Sequence, residues 1–306
     1  MSARLRIGTR GSALALWQAR DAEARLSAAH PGVSVEIVVL RTEGDRFSDA
    51  RLAASGGRGV FVKEIQEALL AGTVDLGVHS LKDLPTEPAA GTAIAAILDR
   101  ADPRDALVSR GGGALASLRP GALLGTGSPR RRGQIAAARP DVVFAELRGN
   151  VDTRVRKVVA GELDGVVLAV AGLTRLGIDE ALWSPIPTEV CLPAPGQGAV
   201  AIETRAEDGP TRALVAALDH EATATAAIAE RAFLAALGAG CLAPAGAHAR
   251  FEGDRLVLDA VVAMADGSRA IRESAAGSPR DPVALGWAVA EEILAAGGDA
   301  IVRASR

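Results

Sequence analysis

Tyrosine is absent from this chain of 306 residues, aromatics together make up 3% of it, and cysteine occurs twice. The shortage of aromatics accompanies abundant Ala and Arg, which codon bias explains as well as any function, so it excludes nothing. Two cysteines, Cys191 and Cys241, cannot build a disulfide framework, and their spacing matches no metal motif. No apolar run approaches the roughly 18 residues needed to span a bilayer. Met1–Gly11 carries charges and a strand-like apolar patch but no signal-peptide core. A basic excess is missing as well, since the net charge is −3, which argues against nucleic acid as a partner. The expectation is a cytoplasmic protein in a reducing compartment, without membrane, nucleic-acid or metal partners.

What is present points to several domains. A chain of this length is long for one core, and 49% hydrophobic with 23% charged residues is ordinary for a globular protein. Strand-like and helix-like segments alternate through the first two hundred residues: Leu5–Thr9, Ser12–Ser27, Val33–Leu40, Phe61–Ala71 and Asp75–His79. Such βαβ order predicts doubly wound α/β lobes with largely parallel sheets. The order then repeats. GTRGSALALWQAR from Gly8 matches GTGSPRRRGQIAAAR from Gly125, HPGVSVEIVVLRTEGD from His30 matches RPDVVFAELRGNVD from Arg139, and AGTVDLGVHSLKDL from Ala71 matches AGELDGVVLAVAGLTRL from Ala160. Three matches in one order predict two similar lobes. We expect lobe one over residues 1–99 and 199–217, lobe two over 104–193, and a small α+β domain over 218–306. Ala101–Asp105 and Pro193–Gln197 would be the hinges. In the tail, helices at Thr211–Leu218, Glu221–Leu237 and Pro282–Ala295 flank strands at Ala245–Phe251, Arg255–Ala263 and Ser268–Ser274.

Doubly wound sheets bind ligands at the carboxyl ends of their strands, where helix N-termini offer free N–H groups to anions. Four such junctions here carry arginine. Ser12 would cap a helix after Arg10, and Ser128 would cap one with Pro129 first and Arg130, Arg131 and Arg132 in its opening turn. Asn150 would cap a helix between Arg148 and Arg154, and Arg175 follows the strand Val166–Val170 and Gly172. Cations in a first helical turn oppose the dipole, so their placement asks for an anion. Taken singly, Arg132 or Arg156 reads as a solvated surface residue. As a set, Arg10, Arg130, Arg131, Arg148, Arg154 and Arg175 read as a cleft for a polyanion, because the guanidinium fork pairs with both carboxylate oxygens.

Lys82-Asp83, after the strand ending at His79, could bind a carboxylate through the lysine and move protons through the aspartate, or could be a plain surface ion pair. His79 itself could equally be a buried core histidine. The Gly-rich stretch 44–59, with Arg46, Arg51 and Arg58, reads as a lid, with Phe61 behind it as core or as a cover. Cys241 lies in a Gly-flanked loop, LGAGCLAP, where small neighbours leave a thiol accessible, whereas Cys191 reads as core packing in an apolar strand Glu189–Leu192.

The motifs GTRGSALALWQ, HSLKDLP, GTGSPRRR, LRGNVDTR, AGLTRLG, PAPGQGA and GAGCLAP follow one another as they do in the porphobilinogen deaminase family, which the chain resembles from about Arg4 into the C-terminal domain. The resemblance implies three domains, the first two like a periplasmic binding protein, in a monomer that joins four porphobilinogen molecules head to tail. Ammonia leaves, and the product is a linear tetrapyrrole of haem biosynthesis. The growing chain is implied to sit on a dipyrromethane cofactor joined by a thioether to Cys241. Asp83 is implied as the carboxylate that stabilises the cationic azafulvene left by ammonia and takes up the pyrrole proton. Lys82, Thr126, Ser128, Arg130, Arg131, Arg148 and Gly172 are implied cofactor contacts, and Arg10, Ser12, Gln18, Phe61, Arg148, Arg154, Arg175 and Gln197 substrate contacts. Ser80 is a further implied hydrogen-bond donor. Two rival readings stand beside it. A solute-binding or effector module would need a signal peptide or a helix-turn-helix segment, and neither is legible. A cysteine hydrolase would need a base near Cys241, where His220 and His248 show no triad context.

Overall fold

The computed structural model describes residues 4–40, 62–238, 240 and 243–304. In chain order its first elements are β1 (Arg4–Arg10), α1 (Ala13–Ala29), β2 (Ser34–Leu40), α2 (Lys63–Leu70), β3 (Leu76–Ser80) and β4 (Thr92–Ile97). Then come β5 (Asp105–Ser109), β6 (Leu123–Gly125), α3 (Pro129–Ala138), β7 (Val143–Ala145), α4 (Val151–Val159), β8 (Gly165–Ala169), α5 (Val170–Arg175) and β9 (Trp183–Pro185). The remainder is β10 (Val200–Arg205), α6 (Gly209–Val215), α7 (Glu221–Ala236), β11 (Ala245–Glu252), β12 (Arg255–Ala263), β13 (Ala270–Gly277), α8 (Pro282–Ile293) and α9 (Asp299–Ala304).

The chain divides into two compact units, Met1–Ala101 with Ala199–Ala224, and Asp102–Gly198 with Thr225–Arg306. The first unit holds a five-stranded sheet in the order β2-β1-β3-β10-β4. Leu5 and Ile7 of β1 alternate inward, and Ala19, Ala22 and Leu26 of α1, at i, i+3 and i+7, pack over them with Leu76, Val78 and Ile202. The second unit holds a sheet in the order β7-β6-β8-β5-β9, position for position the same arrangement. Its strands are buried on both faces, by Val155, Val158 and Leu173 on one and Ile135, Ile186 and Cys191 on the other. The repeat read in the sequence is therefore a repeat of topology. The sheets are mixed rather than largely parallel: β1, β2 and β3 run parallel, as do β6, β7 and β8, but β10 and β5 join antiparallel beside β3 and β8. Each antiparallel strand lies next to a crossover between the units, where the chain enters without a helical return.

The same second unit contains an antiparallel sheet, β11-β12-β13, whose core is built with Phe233, Leu234 and Leu237 of the α7 region and Leu285, Val289 and Ile293 of α8. The third strand starts at Ala270 rather than Ser268, because Ser268 turns back to hydrogen-bond Asp266 through N–H and Oγ. Ile228 of α7, by contrast, is 41% exposed. Glu189–Leu192 is a turn and an extended segment, not a strand, although Cys191 is buried as expected. Helix α3 lies tightly against the C-terminal sheet: a Cβ on Gly133 would sit 2.5 Å from the Met264 carbonyl oxygen. Among the described residues, no helix is long and apolar enough to cross a membrane.

Candidate functional site

In the first unit, β1 and β3 are parallel neighbours, so Arg10 and the Ser80–Asp83 turn share the carboxyl edge of the sheet. Ser12 caps α1 as predicted, its Oγ accepting from the Ala15 N–H at 3.3 Å. Buried Gln18, one turn further, donates from Nε2 to Ser80 Oγ at 2.9 Å, which ties the helix to the end of β3. Next come Leu81, Lys82 and Asp83 as one 3-10 turn. Buried Leu81 anchors it, with its N–H on the Ala199 carbonyl, while Lys82 is half-buried and Asp83 exposed. His79 is the buried core histidine of the two readings: its Nε2 lies 3.1 Å from Glu203 Oε2. Burial pushes the Glu203 carboxyl up, but the His79 ring beside Oε2 and hydrogen bonds from Thr92 and Gln66 to Oε1 outweigh that and hold it below the usual range.

The second unit gathers its predicted residues at the same edge. Ser128 is the N-cap of α3, accepting from the Arg131 N–H at 3.4 Å, and Thr126 is buried, with its N–H on Ala145. Gly127 lets the β6 and β7 loops touch, since a Cβ there would lie 2.9 Å from the Leu147 carbonyl oxygen. Arg148 is therefore beside the Thr126–Ser128 turn, with Nε 3.7 Å from the exposed Glu146. Asn150 occupies the N-cap position of α4, but without a side-chain cap hydrogen bond. Arg154 donates from Nε to the Gly149 carbonyl at 2.7 Å. Burial, then the nearby Arg131 charge, pushes the Arg154 guanidinium down to about 10. Gly172 is buried within α5, whose last residue, Arg175, donates to the Gly198 carbonyl at 2.8 Å.

Arg130 and Arg131 do not project into solvent. They are 4% and 6% exposed and turn back onto Asp105, which is fully buried. Arg130 Nη1 lies 2.6 Å from Asp105 Oδ2; Arg131 reaches Oδ1 through Nη2 at 2.7 Å and Nε at 3.0 Å. Gln197 joins them, donating from Nε2 to Asp105 Oδ1 at 3.0 Å and to the Pro103 carbonyl at 2.7 Å. Burial pushes the Asp105 carboxyl up, but the two guanidiniums more than reverse this and hold it far below the usual range. Part of the anion that the helix-dipole argument asks for is thus the protein's own. One carboxylate against two guanidiniums still leaves the cluster with a positive charge. Asp105 was missed in the sequence, where Ala-Asp-Pro-Arg-Asp reads as a hinge. The available signal was two adjacent first-turn arginines in need of an acceptor.

Two further residues singled out in the sequence, Cys241 and Phe61, lie outside the described residues, as do the lid arginines Arg46, Arg51 and Arg58. No group of acidic residues, His and Cys suited to a metal occurs among the described residues. A family model described as porphobilinogen deaminase, dipyromethane cofactor binding domain, matches residues 5–213, and one described as the C-terminal domain of porphobilinogen deaminase matches 224–295. The chain is 46% identical over 299 residues to the porphobilinogen deaminase of Trichlorobacter lovleyi, covering 98% of this chain and 96% of that one. It is 49% identical over 298 residues to that of Roseiflexus castenholzii, covering 97% and 98%. Similar solved structures include the methionine binding protein MetQ, at TM-score 0.43 and 13% identity over 70% of this chain and 88% of that one. The aliphatic sulphonate binding protein SsuA of Escherichia coli matches at TM-score 0.42 and 14% identity, over 77% and 70%.

Proposed function

Since the chain belongs to the porphobilinogen deaminase family, we propose that Cys241 carries the dipyrromethane cofactor, that Asp83 is the working carboxylate, and that arginines at the strand ends of both units hold the acetate and propionate groups. The activity is that of a transferase of tetrapyrrole biosynthesis, condensing four porphobilinogen molecules head to tail, with loss of ammonia, to the linear hydroxymethylbilane.

The observation that carries this reading is the buried pair Arg130 and Arg131 facing one carboxylate, Asp105, with half-buried Arg154 nearby, its guanidinium lowered by burial and by the Arg131 charge. A site that destabilises its own cation is preset to receive an anion. With the charge left over on Arg130 and Arg131, and Thr126, Ser128, Arg148, Gly172 and Lys82 as further contacts, the residues fit a group rich in carboxylates. When bound, that group supplies the free α-carbon at which the chain is extended. Asp83, on a turn held by Leu81 and by the Gln18–Ser80 bond, accepts the pyrrole proton and stabilises the positive charge left by the departing amine. Arg10, Ser12, Gln18, Arg154, Arg175 and Gln197 orient the incoming substrate, with Phe61 as a cover. We read residues 218–306 as the tether domain and the protein as a cytoplasmic monomer, which size-exclusion chromatography checks.

Intact mass tests the tether. Wild-type protein, expressed with porphobilinogen available, exceeds its sequence mass by two pyrrole units, and Cys241→Ser protein matches its sequence mass. Asp83→Asn retains the added mass while kcat falls by about 100-fold or more. Loss of the added mass in Asp83→Asn, with Cys241→Ser still loaded, would reverse the assignment.

A further inference from the structure

Buried ion pairs normally balance, because an uncompensated charge in a protein interior costs several kcal/mol. The Asp105 cluster does not balance. Its two guanidiniums are more than nine-tenths buried and face one carboxylate. The remaining close contacts are neutral: Cys191 Sγ at 3.5 Å from Asp105 Oδ2, the Gln197 amide, and carbonyl oxygens of Val167 and Leu192. Charged groups around it are Arg154, which feels Arg131, Glu146, which is exposed and closest to Arg148, and Arg272, which reaches Gln134 Oε1 beside Cys191 at 3.0 Å. Among the described residues the other fully buried carboxylate of this unit, Glu230, accepts from the N–H groups of Gly196 and Ala249 at 2.7 and 2.8 Å and from neither guanidinium.

The geometry is also closely fixed. Asp105 Oδ2 takes Arg130, and Oδ1 takes two N–H groups of Arg131 and one of Gln197. Arg131 Nη1 is further held by the Val167 carbonyl at 2.9 Å, and Arg130 Nη1 by Leu192 at 2.7 Å. The guanidiniums are thereby set in place before any ligand arrives. Resting on the assignment of the cofactor site above, we propose that Asp105 is the positioning residue of that site: it neutralises one of two arginines and orients both, leaving one positive charge directed at a cofactor carboxylate. Gln197, from the return segment Pro193–Gly198, and Pro103, from the outgoing crossover, bind to the same centre. The crossovers are therefore fastened where the arginines are.

Asp105→Asn keeps the size of the side chain and removes its charge. Apo protein, made without porphobilinogen, would be mixed with it and followed by intact mass, thermal unfolding and steady-state turnover. The expected result is loading of the two pyrrole units slowed by about tenfold or more, with kcat reduced to match and KM changed by less than about threefold. A purely structural Asp105 would lower the melting temperature but leave the loading rate and kcat of the folded protein intact, and that result would overturn the proposal. Should Asp105→Asn not fold, Asp105→Glu keeps the charge and displaces the carboxylate that both guanidiniums grip. Loading slowed in that folded variant supports positioning, and wild-type loading overturns it. Wild-type protein that gained no mass would instead refute the tether at Cys241, and the premise with it.

Discussion

Burial removes Cys191 from thiol chemistry. Its Sγ is enclosed with Asp105, Arg130 and Gln134, and burial, reinforced by the Asp105 charge, pushes the thiol up to about 12. At pH 8 that keeps the thiol protonated. Iodoacetamide should therefore label the native apo protein at Cys241 and spare Cys191 until denaturant is added, as peptide mapping would show. A label on native Cys191 would contradict this account. The burial of Cys191 was legible in the sequence, because apolar residues surround it. The environment of Cys191 was not. Its polar neighbours Asp105, Arg130 and Gln134 stand 86, 61 and 57 residues away, and no local pattern reports such a distance. Arg130 and Arg131 were read as arginines demanding an anionic ligand, whereas the partner the structure shows is Asp105, which starts a strand that looked like a hinge.

Helices and strands were most legible where local chemistry sets a boundary. Ser12 and Ser128 each accept the N–H three residues on, and Pro129 opens α3, as the residue types predict. What local chemistry cannot report is which face of α3 meets another backbone. Gly133 marks that place: an added Cβ would meet the Met264 carbonyl oxygen at 2.5 Å and the Ala263 Cβ at 3.1 Å. Neither backbone can yield as a flexible side chain could. Gly133→Ala should cost about 1–3 kcal/mol despite the better helix propensity of alanine. Gly209, the first residue of α6, has open space where a Cβ would stand, with nothing within 4 Å, so Gly209→Ala should be neutral or slightly stabilising. Urea unfolding of the two variants makes the comparison, and equal midpoints would show that α3 relaxes away from the C-terminal sheet. Arg272, which reaches from β13 to Gln134 Oε1 at 3.0 Å, argues that it does not.

At the scale of the whole chain, the two sheets follow one plan, and the plan was visible as three ordered sequence matches because turns and caps recur with it. Ala199–Glu203 reads as a strand too, and β10 spans Val200–Arg205, but the antiparallel direction of β5 and β10 was not visible, since a short apolar run reads alike in either direction. Each unit also contains carboxylates held below their ordinary range by cationic or hydrogen-bonding neighbours: Asp75 and Glu203 in the first, Asp105 in the second. The consequence for acid stability follows from linkage. A carboxylate depressed in the folded state contributes stability above its unfolded value, about 4, and loses it as the pH falls through the folded value, because the unfolded chain then binds more protons. Urea midpoints should be nearly flat on these groups' account from pH 7 to pH 5 and fall steeply below about 4, by about 1.4 kcal/mol per pH unit for each proton taken up. Glu203→Gln should lower stability at pH 7 yet flatten that slope, because the variant has one proton fewer to gain on unfolding. An unchanged slope would mean that Glu203 titrates alike in the folded and unfolded chain, and that the Thr92, Gln66 and His79 contacts do not hold its charge.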